Sequence, residues 1–148
     1  MTRKGLELRL PALQIRQGKN RRLFCFAIDG KILPSFTTIS RIGRDDDKCI
    51  RGYQRPEVLS HIAEIKTYLE SEDPLVPNAI VVAFDSRVRF QASQNGHSGS
   101  EHSKPGTIII PIDPLVPDSG KPGWIVDGQQ RVAAIREAKV SQFRMART

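Results

Sequence analysis

The chain has 148 residues, 39% of them hydrophobic and 26% charged, which fits one globular domain. It contains no apolar run near the ~20 residues of a transmembrane helix, and no apolar stretch follows the basic N-terminus as in a secretory signal, so we expect a cytoplasmic protein. Lysines and arginines exceed aspartates and glutamates by 23 to 16, a net charge of +7, which favours a polyanionic partner such as nucleic acid.

The beginning of the chain predicts β-structure. Residues 6–10 alternate apolar and polar side chains, so we expect a strand that ends at Pro11. Residues 23–28 have the apolar pattern of a buried strand. The turn signal Asp29-Gly30 follows them and predicts a hairpin over residues 23–33.

Two polar stretches are expected to form loops. The densest basic patch, residues 19–22, either contacts a phosphate backbone or is a solvated turn. Residues 91–106 contain almost no apolar side chain and are expected to form a mobile loop.

The cysteines and the short acidic and histidine clusters do not predict a metal site. Cys25 and Cys49 lack a C-x-x-C spacing, so we expect two reduced and partly buried thiols. The run Asp45-Asp46-Asp47 has no neighbouring ligands, and we interpret it as a solvated loop. His97 and His102 likewise have no other ligand type organised around them.

Residues 56–69 predict the clearest helix. Pro56 suits the first helical position, and the helix is expected to stop before Pro74. His61 lies beside the apolar stripe, and we interpret it as a packed or surface residue rather than a ligand. The stripe consists of Val58, Leu59, Ile62, Ile65 and Leu69.

Three later segments predict strands, and a second helix follows the last of them. The strands are expected over residues 79–84, continued after a turn by 87–90, then over 107–112 and over 124–126. The helix is predicted to be capped by Asp127 with Gln130 as its capping-box partner. Its inward side chains are expected to be Val132, Ile135 and either Ala133 or Ala134, and the alternation of Phe143 and Met145 suggests a further strand.

The most concentrated polar chemistry lies in residues 127–131, Asp-Gly-Gln-Gln-Arg, which we call the DGQQR turn. A strand that turns directly into a helix leaves the first helical N–H groups unpaired, and their partial positive charge suits a phosphate. Arg131 adds a permanent charge and a fork of donors, while Gln129 and Gln130 add neutral donors and acceptors. The turn therefore predicts an anion-binding site.

A second polar group, Tyr53-Gln54-Arg55, directly precedes Pro56. Both motifs place an arginine at or near the start of a helix. If a small sheet brings them together, Arg55 and Arg131 can hold two phosphates while Tyr53 stacks on a base or bonds to it through its hydroxyl. The alternative is that Tyr53 and Arg55 only cap and cover the helix.

Residues 125–135 resemble the signature of DGQHR-domain proteins, which belong to the ParB/sulfiredoxin-like superfamily. Gln130 replaces the histidine of that signature, and this variant also resembles the Asp-Gly-Gln-Gln-Arg motif of related restriction NTPases. The upstream Tyr53-Gln54-Arg55 and the order of elements over residues 50–140 are similar as well. The resemblance implies an α/β (α+β) fold with a small mixed sheet and flanking helices. Residues 1–148 would form one such domain, either alone or as the N-terminal part of a longer protein.

The resemblance also implies a function. DGQHR proteins occur with bacterial DNA modification, restriction and defence systems that replace a backbone oxygen by sulfur or insert a deazaguanine base, and the Gln-Gln variant favours the second kind. We expect a nucleotide-binding and ATP-hydrolysing component that uses ATP or another NTP with Mg²⁺. The alternatives are a non-enzymatic DNA-binding transcriptional regulator and a ParB-like nuclease domain. The expected partners are DNA and other proteins of the system but no membrane, and an oligomer is compatible with the sequence.

The resemblance assigns roles residue by residue. Gly128 would allow the phosphates to approach closely, and Arg131 would bind them. Asp127 would cap the helix or position a metal-bound water, and the two glutamines would orient phosphate oxygens or water. Gln130 cannot transfer a proton, although glutamine orients the attacking water in GTPases. The nucleotide-binding residues would be Tyr53, Gln54, Arg55, Gly128 and Arg131, and the catalytic residues Asp127, Gln129, Gln130 and Arg131.

Overall fold

The computed structural model describes residues 5–39, 56–94, 100–140 and 144–145. These residues form the predicted α+β fold, with two helices and three small sheets. The strands are β1 (Leu6–Gln17), β2 (Arg21–Phe26), β3 (Ile28–Asp29), β4 (Thr37–Thr38), β5 (Val81–Phe84), β6 (Arg89–Ala92), β7 (Ser103–Ile112), β8 (Gly123–Asp127) and β9 (Arg144–Met145), and the helices are α1 (Pro56–Leu69) and α2 (Gln129–Glu137). Predictions for Asp45, Asp46, Asp47, Cys49, Tyr53, Gln54, Arg55, His97 and Phe143 lie outside the described residues.

The largest sheet has the strand order β2-β1-β7-β6, with every pair antiparallel. The prediction that the first strand ends at Pro11 is wrong, because β1 continues to Gln17. Pro11 pairs with Thr107 of β7, whereas pairing with β2 begins only at Ala12. No described strand pairs with Pro11 on the β2 side of β1, so its missing N–H group costs no ladder hydrogen bond there.

The first hairpin lies earlier than the sequence predicted. β1 and β2 form it, and Gly18 opens the connection with a φ of +66°, a conformation that favours glycine. Asp29 instead bonds to the amide of Lys31 through its carboxylate, and the chain enters a short 3-10 turn rather than a returning strand. The prediction of a partly buried Cys25 is also wrong, since this side chain on edge strand β2 is exposed.

The middle of the chain divides between two sheets. β5 pairs with β8 in the three-stranded sheet β4-β8-β5, whereas β6 pairs with β7 in the large sheet. Residues 87–90 therefore do not continue β5, because a turn stabilised by the Asp85 carboxylate redirects the chain. The expected loop over residues 91–106 is shorter than predicted, because its two ends belong to β6 and β7.

Both predicted helices are present. α1 has the predicted bounds, and Ile62 and Leu69 are buried, although Leu59 is 52% exposed and does not belong to the packed stripe. α2 buries Val132, Ala134 and Ile135, as expected. Neither described helix has the length and apolar character that a membrane crossing requires.

The core consists of two clusters that α2 connects. The first contains Ile108 and Ile110 of the large sheet together with Ile125 of β8 and Val132 of α2. The second lies between the two helices and includes Ile135. Because α2 contributes to both clusters, the position of its first turn is fixed by packing on two sides.

Candidate functional site

All five residues of the DGQQR turn line one cavity of about 500 Å³. The other lining residues come from α1 and from residues 75–78, the segment that precedes β5. This volume lies within the ~300–1,000 Å³ typical of small-molecule sites. The structure therefore brings the predicted catalytic residues to the wall of a single ligand-sized cavity.

The turn is made by Gly128, which is the N-cap of α2 and has a φ of +94°. The predicted capping box is wrong, because the N-cap is Gly128 and no described side chain caps the helix. Asp127 still pairs with Val81 in the β8 ladder, and its side chain is 72% exposed. The N-cap position is thus occupied by glycine, which has no side chain. Asp127 lies one residue before that position and does not cap the helix.

The uncapped end leaves backbone donors available. The first helical hydrogen bond runs from the amide of Val132 to the carbonyl of Gly128, at 2.9 Å. The amides of Gln129, Gln130 and Arg131 precede it, and no described residue accepts a hydrogen bond from them. Three N–H groups at the positive end of a helix form a suitable site for an anion.

Arg131 is already engaged by the protein itself. Its Nη1 donates to the carbonyl of Asn78 at 2.6 Å and to that of Ala79 at 3.4 Å. Its Nη2 lies 3.9 Å from Oδ2 of Asp127, and the side chain is 23% exposed. The guanidinium therefore ties the start of α2 to the segment before β5, a structural role in addition to the predicted one.

Gly128 is required for this arrangement. A Cβ atom at this position would lie 3.0 Å from Nη2 of Arg131 and 3.0 Å from Cγ1 of Ile80. The positive φ would strain any L side chain as well. The side chains of Arg131 and Ile80 thus lie close to Gly128, and the close approach of phosphates that the resemblance implied stays a prediction.

The two glutamines of the turn differ in their surroundings. Gln129 donates from Nε2 to the carbonyl of Val126 at 2.9 Å and more weakly to that of Ile125 at 3.4 Å. Gln130 is half-buried in the cavity wall, and its side chain has no hydrogen bond to a described residue. Of the two glutamines, Gln130 is therefore the one whose side chain is available to a ligand in the cavity.

The opposite wall of the cavity was not predicted from the sequence. His61, Ile65 and Tyr68 line it from α1, and Leu75, Val76 and Pro77 continue it. The Tyr68 hydroxyl accepts from the amide of Leu75 at 2.9 Å and donates to its carbonyl at 3.2 Å, so the half-exposed ring is held in place. The spacing of residues 61, 65 and 68, which puts them on one helix face, was the only available signal.

Two parts of the predicted site are not tested by this geometry. Tyr53, Gln54 and Arg55 lie outside the described residues, so the pairing of Arg55 with Arg131 stays a prediction. Within the described ranges, no three side chains of His, Cys, Asp or Glu come together as metal ligands. The expected Mg²⁺ therefore also stays a prediction.

The DndB family, described as DNA-sulfur modification-associated, matches residues 10–144. The chain belongs to the DndB family. The matched range includes both helices and the whole DGQQR turn. No curated protein and no solved structure matches the chain.

Family membership connects the chain with a DNA modification system, as the sequence predicted. The family description favours sulfur modification over the deazaguanine insertion that the Gln-Gln variant suggested. The placement in the ParB/sulfiredoxin-like superfamily stays a prediction.

Proposed function

We propose that this DndB-family chain is a nucleotide-binding component of a DNA-sulfur modification system, with its nucleotide site in the cavity at the DGQQR turn. The observation that carries the proposal is the N-terminus of α2, which supplies a cavity of about 500 Å³ with three amides that donate to no described residue. A nucleotide needs anion donors at one end and an apolar surface at the other, and this cavity has both.

The phosphates would lie at the start of α2. The amides of Gln129, Gln130 and Arg131 would donate to phosphate oxygens, because their charge and direction suit an anion. The side-chain amide of Gln130 would add a further donor. Arg131 would contribute mainly through Nη2, because Nη1 is taken by the carbonyls of Asn78 and Ala79.

The base would lie against the opposite wall. Tyr68 presents a half-exposed ring, held by two hydrogen bonds to Leu75, which lowers the entropic cost of stacking on it. Stacking of a base on an aromatic side chain contributes ~1–3 kcal/mol. Tyr68 can therefore take the stacking role that the sequence assigned to Tyr53.

We further propose that the bound triphosphate, ATP or another NTP, is hydrolysed with Mg²⁺. Asp127 at the rim and Gln130 inside the cavity are the side chains placed to orient a water molecule. Asp127 would hold Mg²⁺ together with phosphate oxygens. When bound, the ion would neutralise charge that develops on the transferred phosphoryl group.

The substitution Gln130→Glu tests the site. A carboxylate at the second helical position is favourable for the helix dipole, so the fold should be retained while phosphate is repelled. Calorimetric titration with ATP and Mg²⁺ should show at least about tenfold weaker binding, a loss of ~1.4 kcal/mol. The matched control is Gln91→Glu, which makes the same change at an exposed position of β6. Equal ATP affinity of the two variants would overturn the assignment.

A second candidate function, a DNA-binding regulator that does not use nucleotide, is supported by a separate basic surface described below. A salt titration of DNA affinity with and without ATP separates the two functions, because backbone binding weakens steeply with salt. An effect of ATP on DNA affinity supports the nucleotide site. The nuclease alternative stays a prediction, tested by metal-dependent nicking of plasmid DNA in the absence of nucleotide.

A further inference from the structure

A groove of about 520 Å³ lies between the tip of the β1–β2 hairpin and the start of β7. We call it the basic groove. It shares no lining residue with the cavity at the DGQQR turn. Its charged lining residues, apart from His102, are five cations and a single carboxylate, namely Arg16, Lys19, Arg21, Arg22, Lys104 and Glu101.

The register of the large sheet builds this groove. Leu8, Leu10 and Ala12 face the core from β1, and the alternation of a strand places Gln14 and Arg16 on the same face. Here β1 continues beyond the apolar core. The core-side face of the sheet therefore changes from apolar to basic between Ala12 and Arg16.

Two arginines lie directly opposite each other on this face. Arg16 of β1 pairs with Arg22 of β2, an arrangement of like charges that destabilises a sheet. None of the five cations forms an ion pair with a described residue. Elsewhere in the described ranges Arg9, Arg87 and Arg89 are each paired with a carboxylate. Among the described residues the five cations of the groove thus face a single carboxylate, Glu101, and an anionic ligand would compensate the remaining charge.

The lining indicates which polyanion fits. It contains no aliphatic side chain and no Phe, Tyr or Trp, and its uncharged members are Gln, Asn, Ser and Gly. A protein partner normally requires aromatic and apolar residues at the centre of its interface. Single-stranded nucleic acid requires aromatic platforms for its bases. A duplex backbone requires only cations and polar donors, which this groove supplies.

We propose that the basic groove binds the phosphate backbone of duplex DNA, at a site separate from the nucleotide cavity. Contacts to the backbone position a protein on DNA without reading the sequence. The groove would therefore hold the DNA substrate of the modification system independently of base identity. The side chains that carry this binding are Arg16 and Arg22, with Lys19, Arg21 and Lys104 around them.

The test compares two double variants of equal net charge. Arg16→Gln with Arg22→Gln removes two groove cations, whereas Arg9→Gln with Arg87→Gln removes two arginines that are ion-paired elsewhere. Fluorescence anisotropy with a labelled duplex of about 20 base pairs at several salt concentrations measures affinity and its salt dependence. The loss of two phosphate contacts should lower the slope of log K against log [salt] by about 2 and weaken binding by roughly tenfold to a hundredfold near 0.1 M salt. The control should keep the slope of the unaltered protein.

Further measurements decide between duplex DNA and other ligands of the groove. Equal affinities and slopes of the two double variants would overturn the proposal. So would displacement of the duplex by poly-glutamate at equal charge concentration, or a clear preference for single-stranded DNA or for RNA. Lys104→Gln changes one exposed side chain at the start of β7 and should lower the slope of log K against log [salt] by about 1. This single variant replaces the double variant if the double variant does not fold. ATP titration of the groove variant should be unchanged, which separates this proposal from that for the DGQQR turn.

Discussion

The DGQQR turn and the basic groove both contain arginine, but the fold uses the residue differently at the two places. Arg131 is bound to two backbone carbonyls and lies over Gly128, so much of its donor capacity serves the structure. Arg16 and Arg22 face each other without an ion-pair partner among the described residues. The number of cations in a region therefore says less about ligand binding than the partners those cations already have.

The two regions also offer an anion different kinds of donor. At the turn, the donors without a partner among the described residues are backbone amides at a helix end, fixed in position by the packing of α2. In the groove, the donors are exposed charged side chains. We therefore expect nucleotide binding to depend weakly on salt and DNA binding to depend on it steeply.

Removal of the Arg131 side chain should have the largest effect on stability. Arg131→Ala leaves the carbonyls of Asn78 and Ala79 without their donor and should lower the free energy of unfolding by about 1.5–3 kcal/mol, the range for hydrogen bonds to charged groups. Urea unfolding measures the change. Arg136→Ala, at an exposed position of the same helix, is the control. If both variants lose the same free energy of unfolding, the hydrogen bonds between Arg131 and the segment before β5 do not stabilise the fold.

The next effect should come from Gly128. Gly128→Ala combines a left-handed backbone with contacts at 3.0 Å, and it should lower the free energy of unfolding by about 1.5–2 kcal/mol. Gly18→Ala shares the positive φ but would meet nothing within 4 Å, so about 1 kcal/mol is expected. Thermal unfolding of both variants separates crowding from strain. Equal losses would mean that the crowding by Arg131 and Ile80 is without consequence.

A smaller effect of opposite sign is expected in the basic groove. Arg16→Gln with Arg22→Gln relieves a pair of like charges and should raise the free energy of unfolding by about 0.2–1 kcal/mol at low salt. The gain should shrink as salt screens the repulsion. Urea unfolding at two salt concentrations measures it. A loss of stability that is independent of salt would indicate that the arginines have a structural role.

The smallest effect on stability is expected from the ion pair between Lys121 and Asp118. Lys121 donates to the carbonyl of Pro34 at 2.7 Å and lies 2.6 Å from Oδ1 of Asp118, and its hydrogen bond and charge lower the pKa of that carboxyl below 3.8. Because the folded pKa is the lower one, the contribution to stability is present above pH 3.8 and is lost as the pH falls through the folded value.

Comparison of the unaltered protein with Asp118→Asn checks this assignment. The two proteins should differ slightly in unfolding midpoint at neutral pH, because the carboxylate is largely exposed. They should converge in strong acid. A difference that persists below the folded pKa would show that the hydrogen-bonding geometry, rather than the charge, is what Asp118 contributes.

The regular elements were predictable where one local signal dominated. Pro56 and the apolar spacing of residues 58–69 define α1, and both bounds are confirmed. The first hairpin was placed wrongly because two turn signals compete, and Asp29 bonds to its own following backbone. Whether a strand can pass through Pro11 depends on which edge is open, and that is decided by the pairing of distant segments.

The candidate site, too, was predictable where a local motif identifies it and not where distant segments meet. Residues 127–131 were identified from a motif, and the structure places all of them on one cavity. The contact of Arg131 with Asn78 spans 53 positions, and the wall formed by Tyr68 depends on how α1 packs against α2. Such features follow from tertiary packing and have no local signature. The basic patch at residues 19–22 was seen in the sequence, but its partners on β1 and β7 were not.

The most direct test of the nucleotide site follows the backbone amides of the protein by ¹H–¹⁵N NMR during titration with ATP and Mg²⁺. We expect the amide resonances of Gln129, Gln130 and Arg131 to shift together with those of residues 65–68, while those of the hairpin tip at residues 19–22 stay unaffected. The opposite pattern, with stationary amides at the DGQQR turn and shifts confined to the hairpin, would contradict this expectation.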